Sequence, residues 1–280
     1  MEDFSAWIGR SERTNDLISS AQLAGLAALL DHEAPPWPVG EAPPLGHWLH
    51  FLPQARQSAI DVDGHPKRIG FMPPVPLPRR MWAGGRIDFR APLKIGAIVE
   101  RLSTIADIQH KRGASGDLLF VKLRHDITAD GVPMLFEEQD IVYRDGSSPR
   151  LATKAESSQP AEAVVPDIVR TLVPDSVQLF RFSALTYNGH RIHYDRDYAR
   201  DVEGYGGLVV HGPFLATLLM DLFLRSAPDR RPTRFAFRAQ SPLIDTAPFE
   251  LCLAWINGGA KLWTRDRDGL ATMTANVTAT

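Results

Sequence analysis

Asn188, His190 and His193 fall within six residues of the stretch Ala-Leu-Thr-Tyr-Asn-Gly-His-Arg-Ile-His, 184–193. Two histidines three residues apart can hold a metal. An amide five residues before a histidine can orient water or a carbonyl group, while the imidazole, with an ordinary pKa of about 6.5, moves a proton near neutrality. The plain alternative is a polar loop with incidental histidines. The metal reading is the weakest of the three, because a catalytic zinc needs a third protein ligand and an open position. Neither a nearby cysteine nor a His-Glu-x-x-His pattern accompanies the pair. The spacing alone does not choose between the other two.

The surrounding elements narrow the choice. A glycine-rich segment, Glu203–Pro213, follows and ends in Val210-His211-Gly212-Pro213. The run Pro213–Arg225 is apolar nearly all round, with proline in its first position, which predicts a helix that must be covered on every side. Before the stretch, Val177–Ala184 (VQLFRFSA) reads as a strand.

The chain repeats itself. Arg86-Ile-Asp-Phe-Arg-Ala, followed by Pro92-Leu93, recurs as Arg234-Phe-Ala-Phe-Arg-Ala, followed by Pro242-Leu243, 148 residues later. Both copies alternate apolar and polar residues, the period of a half-buried strand. Further strand-like runs follow each copy: 97–111, 117–128 and 133–144 in the first half, and 249–258, 259–269 and 270–279 in the second. Turn signals separate them at Gly113–Gly116, Ala129–Gly131, Gly258-Gly259 and Asp268-Gly269. Residues 17–31 favour a helix. His47 and His50 mark the first half's counterpart of the central helix, with a core or substrate-tunnel role. The Pro-rich segment Pro73–Gly85 reads as a rigid loop over a ligand tunnel, and 265–269 as a solvated hairpin tip. A stretch poor in aromatics and rich in Ser, Ala and Pro separates the halves. The expected organisation is an N-terminal unit over 1–150, a linker over 151–165 and a C-terminal unit over 166–280. Each unit is of α+β class, an antiparallel sheet curled around one helix.

Composition excludes several classes. A net charge of −2 over 280 residues, with no Lys/Arg block, argues against nucleic acid or an anionic membrane as partner. No apolar stretch approaches the ~20 residues of a membrane span. The N-terminus lacks a signal-peptide core, and the single Cys252, set among apolar neighbours, fits a reducing, cytoplasmic setting. P-loop, Gly-x-Gly-x-x-Gly and Gly-x-Ser-x-Gly patterns are missing, which disfavours nucleotide hydrolysis, Rossmann hydride transfer and serine hydrolysis.

Asn188-Gly-His-Arg-Ile-His193 with Val210-His-Gly-Pro213 resembles the signature of MaoC-like, hot-dog-fold enoyl-thioester hydratases. That signature runs acid, any residue, Asn-Pro, an aliphatic, His, then a glycine turn and a His-Gly-Pro element before the central helix. Here Asn188 stands at the acid position and His190-Arg191 replace Asn-Pro. Leu77–Phe89, the Ser103–Ile108 run, Glu137–Asp145 and Phe182–Asp195 look like the branch of mesaconyl- and itaconyl-CoA hydratases and type 2 hydroxyacyl-thioester dehydratases. The resemblance implies a double hot-dog fold whose C-terminal half alone keeps the motif. It also implies an acyl-CoA thioester substrate, no separate metal or redox cofactor, and a homodimer.

Adding water across a C=C conjugated to a thioester requires a base at the β carbon, a proton for the α carbon and donors for the enolate-like oxygen. His193 is assigned proton transfer. Asn188 cannot ionise, so it orients water or substrate through its amide oxygen or its NH2. The N–H of Gly212, at the positive start of the buried helix, is the donor for the oxygen. Arg191 is nominated to grip a free carboxylate of a dicarboxylic acyl group. Arg80 and Arg238 are candidates for the CoA phosphates or pantetheine. Tyr205 and His211 complete the expected substrate-binding set, His211 chiefly as helix-start packing.

Overall fold

The computed structural model describes residues 3–68, 70–113, 116–145 and 164–280. The expected linker therefore lies outside the described residues, apart from 164 and 165. Five strands belong to the first half: β1 (Ser11–Leu17), β2 (Arg79–Phe89), β3 (Ile98–Gly113), β4 (Gly116–Ala129) and β5 (Val132–Arg144). Five belong to the second: β6 (Ile168–Leu172), β7 (Pro232–Ala239), β8 (Phe249–Ile256), β9 (Gly259–Arg265) and β10 (Ala271–Ala279). They form one antiparallel ten-stranded sheet in the order β1-β3-β4-β5-β2-β7-β10-β9-β8-β6. The second five read outward from the centre as the counterparts of the first five. β2 pairs with β7, and Ile87 lies opposite Phe235, its own equivalent 148 residues on. The repeated Arg-x-x-Phe-Arg-Ala strands are thus the seam, and an approximate two-fold axis passes between Ile87 and Phe235. This is the double hot-dog arrangement.

Three α-helices accompany the sheet: α1 (Ser20–Leu29), α2 (Ser176–Thr186) and α3 (Gly212–Ser226). Every residue of α3 from Phe214 to Leu224 is buried, in contact with β2, β8, β9 and β10. Burying a leucine or phenylalanine side chain contributes about 1.5–3 kcal/mol, so α3 and the sheet stabilise each other. The one acid in this run, Asp221, is satisfied on both oxygens. Oδ1 lies 2.5 Å from His32 Nε2, and Oδ2 accepts from Arg225 Nε at 2.8 Å and Arg170 Nη1 at 3.3 Å.

Three expectations are corrected. Arg79–Gly85, expected within the rigid loop Pro73–Gly85, instead open β2, so only Pro73–Pro78 of that segment precede the strand. Val177–Ala184 is not a strand but the body of α2. Asp175 caps this helix by accepting the N–H of Gln178 at 2.8 Å, and Tyr187 ends it in the left-handed conformation at φ 49°. Leu179, Phe182 and Ser183, spaced three and four apart, are buried, while Val177 and Phe180 are exposed. The local apolar spacing fits either period, and the cap decides for the helix. In the first half, the place of the long central helix is taken by a single 3-10 turn, Gly46–Leu49, which carries His47. Prolines at 53, 66, 73, 74, 76 and 78 keep the following chain from forming a long helix. α1 packs against α2, its symmetry counterpart, and not in the central position. Chain that would have been helix instead lines a cavity of about 1000 Å³.

Candidate active site

The histidine-bearing stretch leaves α2 at its left-handed cap and turns on hydrogen bonds of its own. Asn188 N–H donates to Ser183 O at 2.8 Å, and Asn188 Oδ1 accepts the N–H of His190 at 3.0 Å. That acceptance commits the amide oxygen to the turn and leaves Nδ2 to the cavity, which Asn188 lines. A 3-10 turn, Arg191–His193, follows. His193 Nδ1 donates to Val209 O at 2.7 Å, and Val209 N–H donates to Ile192 O at 3.0 Å. The tautomer is thereby fixed: Nδ1 carries the hydrogen, and Nε2 is an acceptor with no protein partner among the described residues. His193 is 7% exposed and lines the cavity.

Gly212 is the first residue of α3 and lines the same cavity. Its N–H has no carbonyl partner among the described residues, as the first turn of a helix dictates. A Cβ built on Gly212 would meet only Trp82 O, at an ordinary 3.6 Å. The backbone therefore does not require glycine here, and the missing side chain leaves room beside the N–H. His211 is completely buried behind this point. Its ring stacks on His193 at 3.6 Å, and its Nε2 shares a 2.8 Å hydrogen bond with Ser183 Oγ.

The first half supplies a third piece that the sequence reading missed. Asp63, Gly64 and His65 lie directly on the motif. Arg191 N–H donates to Asp63 O at 2.9 Å, and Arg191 Nη1 donates to Val62 O at 3.1 Å. Gly64 adopts φ +90°, and a Cβ there would fall 1.8 Å from Gly189 O. His65 N–H donates to Asp63 Oδ1 at 2.8 Å, and its Nδ1 donates to Oδ2 at 3.0 Å. The His65 ring lies 4.1 Å from His190, which lies 5.3 Å from His193. A row of imidazoles results, in the order His65, His190, His193, His211. An acid two residues before a histidine, in the turn Asp-Gly-His-Pro, is the one local signal that could have pointed to it.

Burial dominates the electrostatics. It drives His193 down to about 4, against the pull of the Val209 carbonyl. His190 falls to about 2 through burial and the neighbouring His65 and His193. His211 is held well below the usual range by burial, then by His193 and His190. His65 is lowered by burial, partly offset by its bond to Asp63, with Arg80 and Arg68 pushing it further down. Burial would raise Asp63, but the hydrogen bonds and charge of His65 outweigh it and hold the carboxyl below its usual range. All four imidazoles are therefore neutral at pH 7, and Asp63 is ionised.

Asp63, His65 and His190 each present a ligand atom within 4.8 Å of the others, so these three could hold a divalent cation. The Asp63–His65 bond already satisfies two of those donor atoms mutually. His193 is not part of that set, so the sequence-adjacent histidine pair is not a metal pair here.

The remaining expected residues divide. Arg80 and Tyr205 line the cavity. Arg191 does not: its guanidinium donates to Asp195 Oδ2 at 3.0 and 2.8 Å and lies 4.1 Å over the Tyr198 ring. Arg238 is exposed on β7 at the seam and His211 sits behind His193, so neither borders the cavity. His47 and His50 have the core role expected. His47 Nε2 bonds buried Glu137 at 3.0 Å, and both His50 nitrogens are hydrogen-bonded, to Ser19 N–H and Gly46 O.

A ten-stranded double sheet around α3 is the double hot-dog fold, and His193 and Gly212 both line its cavity. The chain belongs to the type 2 hydroxyacyl-thioester dehydratase family, whose model matches residues 45–245. It is 48% identical over 277 residues to a mesaconyl-C(4)-CoA hydratase of Chloroflexus aurantiacus, covering 98% of this chain and 97% of that protein. It is 24% identical over 270 residues to the mitochondrial hydroxyacyl-thioester dehydratase type 2 of Schizosaccharomyces pombe, covering 85% and 88%. Among solved structures, a MaoC-like dehydratase superposes with a TM-score of 0.72 at 14% identity, covering 99% of both chains. A Mycobacterium tuberculosis protein described as a double hotdog fold superposes at 0.58 and 11%, covering 97% and 96%. These two likenesses bear on the fold alone. No described helix is long and apolar enough to cross a membrane.

Proposed function

We propose that this protein reversibly hydrates an enoyl-CoA thioester bearing a carboxylate on its β carbon, with mesaconyl-C4-CoA to citramalyl-CoA as the leading case. The observation that carries the reading is the pair formed by His193 Nε2 and the Gly212 N–H on one cavity. His193, neutral at pH 7, takes a proton from water through Nε2 as the oxygen adds to Cβ. The imidazolium so formed keeps its Nδ1–H on the Val209 carbonyl, which offsets part of the cost of charging a buried ring. Negative charge moves to the thioester oxygen, where the Gly212 N–H and the positive end of α3 receive it. A proton then returns to Cα and regenerates the neutral imidazole. Asn188 holds the water or the carbonyl through Nδ2, its oxygen being committed to His190 N–H. Positioned proton transfer supplies roughly 10²–10⁴-fold. CoA enters as part of the substrate, and the reading requires no other group.

A second reading, a longer 3-hydroxyacyl thioester, is favoured by the apolar side of the cavity at Phe71, Met72, Leu123 and Ile141. Incubation with mesaconyl-C4-CoA, crotonyl-CoA and a long-chain enoyl-CoA separates the two. Loss of enoyl-thioester absorbance without free thiol is the expected result, fastest for the first substrate. Fastest turnover of the long chain supports the second reading, and free thiol, meaning thioester hydrolysis, overturns both.

A further inference from the structure

A β-carboxylated enoyl thioester puts strict demands on its site. The carboxylate is bonded to the same carbon that receives the hydroxyl group, so whatever recognises it must lie within one side chain of His193 Nε2. Arg191, nominated from the sequence, is excluded by its place outside the cavity and its commitment to Asp195 and Tyr198.

The other cations lining the cavity are mostly engaged. Arg68 donates to the carbonyls of Val75, Leu77 and Pro78, pinning its own loop. Arg79 pairs with Glu203 at 3.2 Å, and Lys67 Nζ donates to Ser58 O at 2.9 Å. Arg80 differs. It lines the cavity, and its guanidinium has neither a hydrogen bond nor an ion pair among the described residues. Its charge lowers both His65 and His190, and all three line the one cavity. His190 has no hydrogen-bond partner on either ring nitrogen among the described residues, so a neutral ring there has one N–H to give. His65 backs that ring at 4.1 Å and is itself fixed by Asp63. Asp63 is the one group of opposite sign in the cluster, and both its oxygens already accept from His65.

We infer that Arg80 and His190 form the subsite for the carboxylate on Cβ, with His65 and Asp63 holding His190 in place. Arg80 contributes charge and a planar donor fork suited to a carboxylate, and His190, next to His193 in the row, contributes a ring N–H. The inference rests on the hydratase reading above and identifies which residues set its substrate preference.

Mesaconyl-C4-CoA carries a methyl group and a carboxylate on Cβ where crotonyl-CoA carries a methyl group and a hydrogen, and succinyl-CoA is an unreactive thioester with a carboxylate on the same carbon. Steady-state kinetics of wild type, Arg80→Gln and Arg80→Lys on the first two, with inhibition by succinyl-CoA against butyryl-CoA, form the test. A charge-assisted hydrogen bond lost without replacement corresponds to about tenfold to a hundredfold in affinity. Arg80→Gln should lower kcat/KM for mesaconyl-C4-CoA by that factor more than for crotonyl-CoA and weaken succinyl-CoA by a similar factor relative to butyryl-CoA. Arg80→Lys should fall between. Equal losses on both substrates would overturn the inference by assigning Arg80 to the CoA moiety or to the fold. Wild type hydrating crotonyl-CoA but not mesaconyl-C4-CoA would overturn the carboxylate reading itself. If Arg80→Gln does not fold, His190→Asn with the same inhibitor pair gives the same comparison.

Discussion

Gly64 and Gly189 meet backbone to backbone across 125 residues of chain, so closely that a Cβ on Gly64 would lie 1.8 Å from the Gly189 carbonyl oxygen. This contact, with the Arg191 N–H to Asp63 O bond beside it, locks the first half onto the histidine-bearing stretch of the second. Gly64 also has φ +90°, which an L side chain rarely adopts. Gly64→Ala should therefore displace the loop and lower both thermal stability and activity. Gly212→Ala, facing only an ordinary 3.6 Å contact, should keep the fold and lose turnover by crowding the oxyanion donor. Melting curves and assays of the two variants check this, and an inactive, unfolded Gly212→Ala would contradict it.

His193→Ala should reduce turnover by roughly 10²–10⁴-fold while substrate still binds. Near-full activity in the folded variant would remove His193 from the mechanism. Asn188→Ala should cost less in turnover but also loosen the turn, because the side-chain oxygen accepts His190 N–H. Asn188→Asp keeps that acceptor, so it should restore the melting temperature more than the activity.

Stability should fall on acidification well before the carboxylates titrate. His193 and His125 are both held at about 4 by burial. Between their unfolded pKa of about 6.5 and 4, the unfolded chain binds protons that the folded chain refuses. The contribution is intact above about 6.5 and is lost as pH drops toward 4, by up to about 1.4 kcal/mol per pH unit for each group. Denaturant midpoints between pH 7 and 4.5 measure the slope, and His125→Asn should flatten it. A flat profile down to pH 5 would rule the account out.

Asp221 is 2% exposed on α3 and joins His32, Arg170 and Arg225. Removing one partner of a buried ionic cluster typically costs about 3–5 kcal/mol. Asp221→Ala should therefore be among the most destabilising single changes in the second half, with Asp221→Asn milder. Chemical denaturation reads both.

Eight of the ten strands, the central helix and the duplication were legible in the sequence because their signals are local, whereas β1 and β6 were not read. Period-two alternation, glycine turns and an apolar run opened by Gly-Pro each act within a few residues, and the copied Arg-x-x-Phe-Arg-Ala marks the seam between halves. His193 and Gly212 were legible for the same reason, since motif and helix start sit on contiguous stretches. The helical state of 177–184 was not, because its apolar spacing satisfies two periods until the Asp175 cap is seen. The loss of the first half's central helix, the neighbours of Arg191 and the union of Asp63-Gly64-His65 with the motif were decided by tertiary structure alone. They depend on which distant backbones approach within hydrogen-bond range. No pattern inside either segment records that a carbonyl at 63 will accept the N–H at 191, or that the guanidinium of Arg80 and not that of Arg191 will be left facing the cavity.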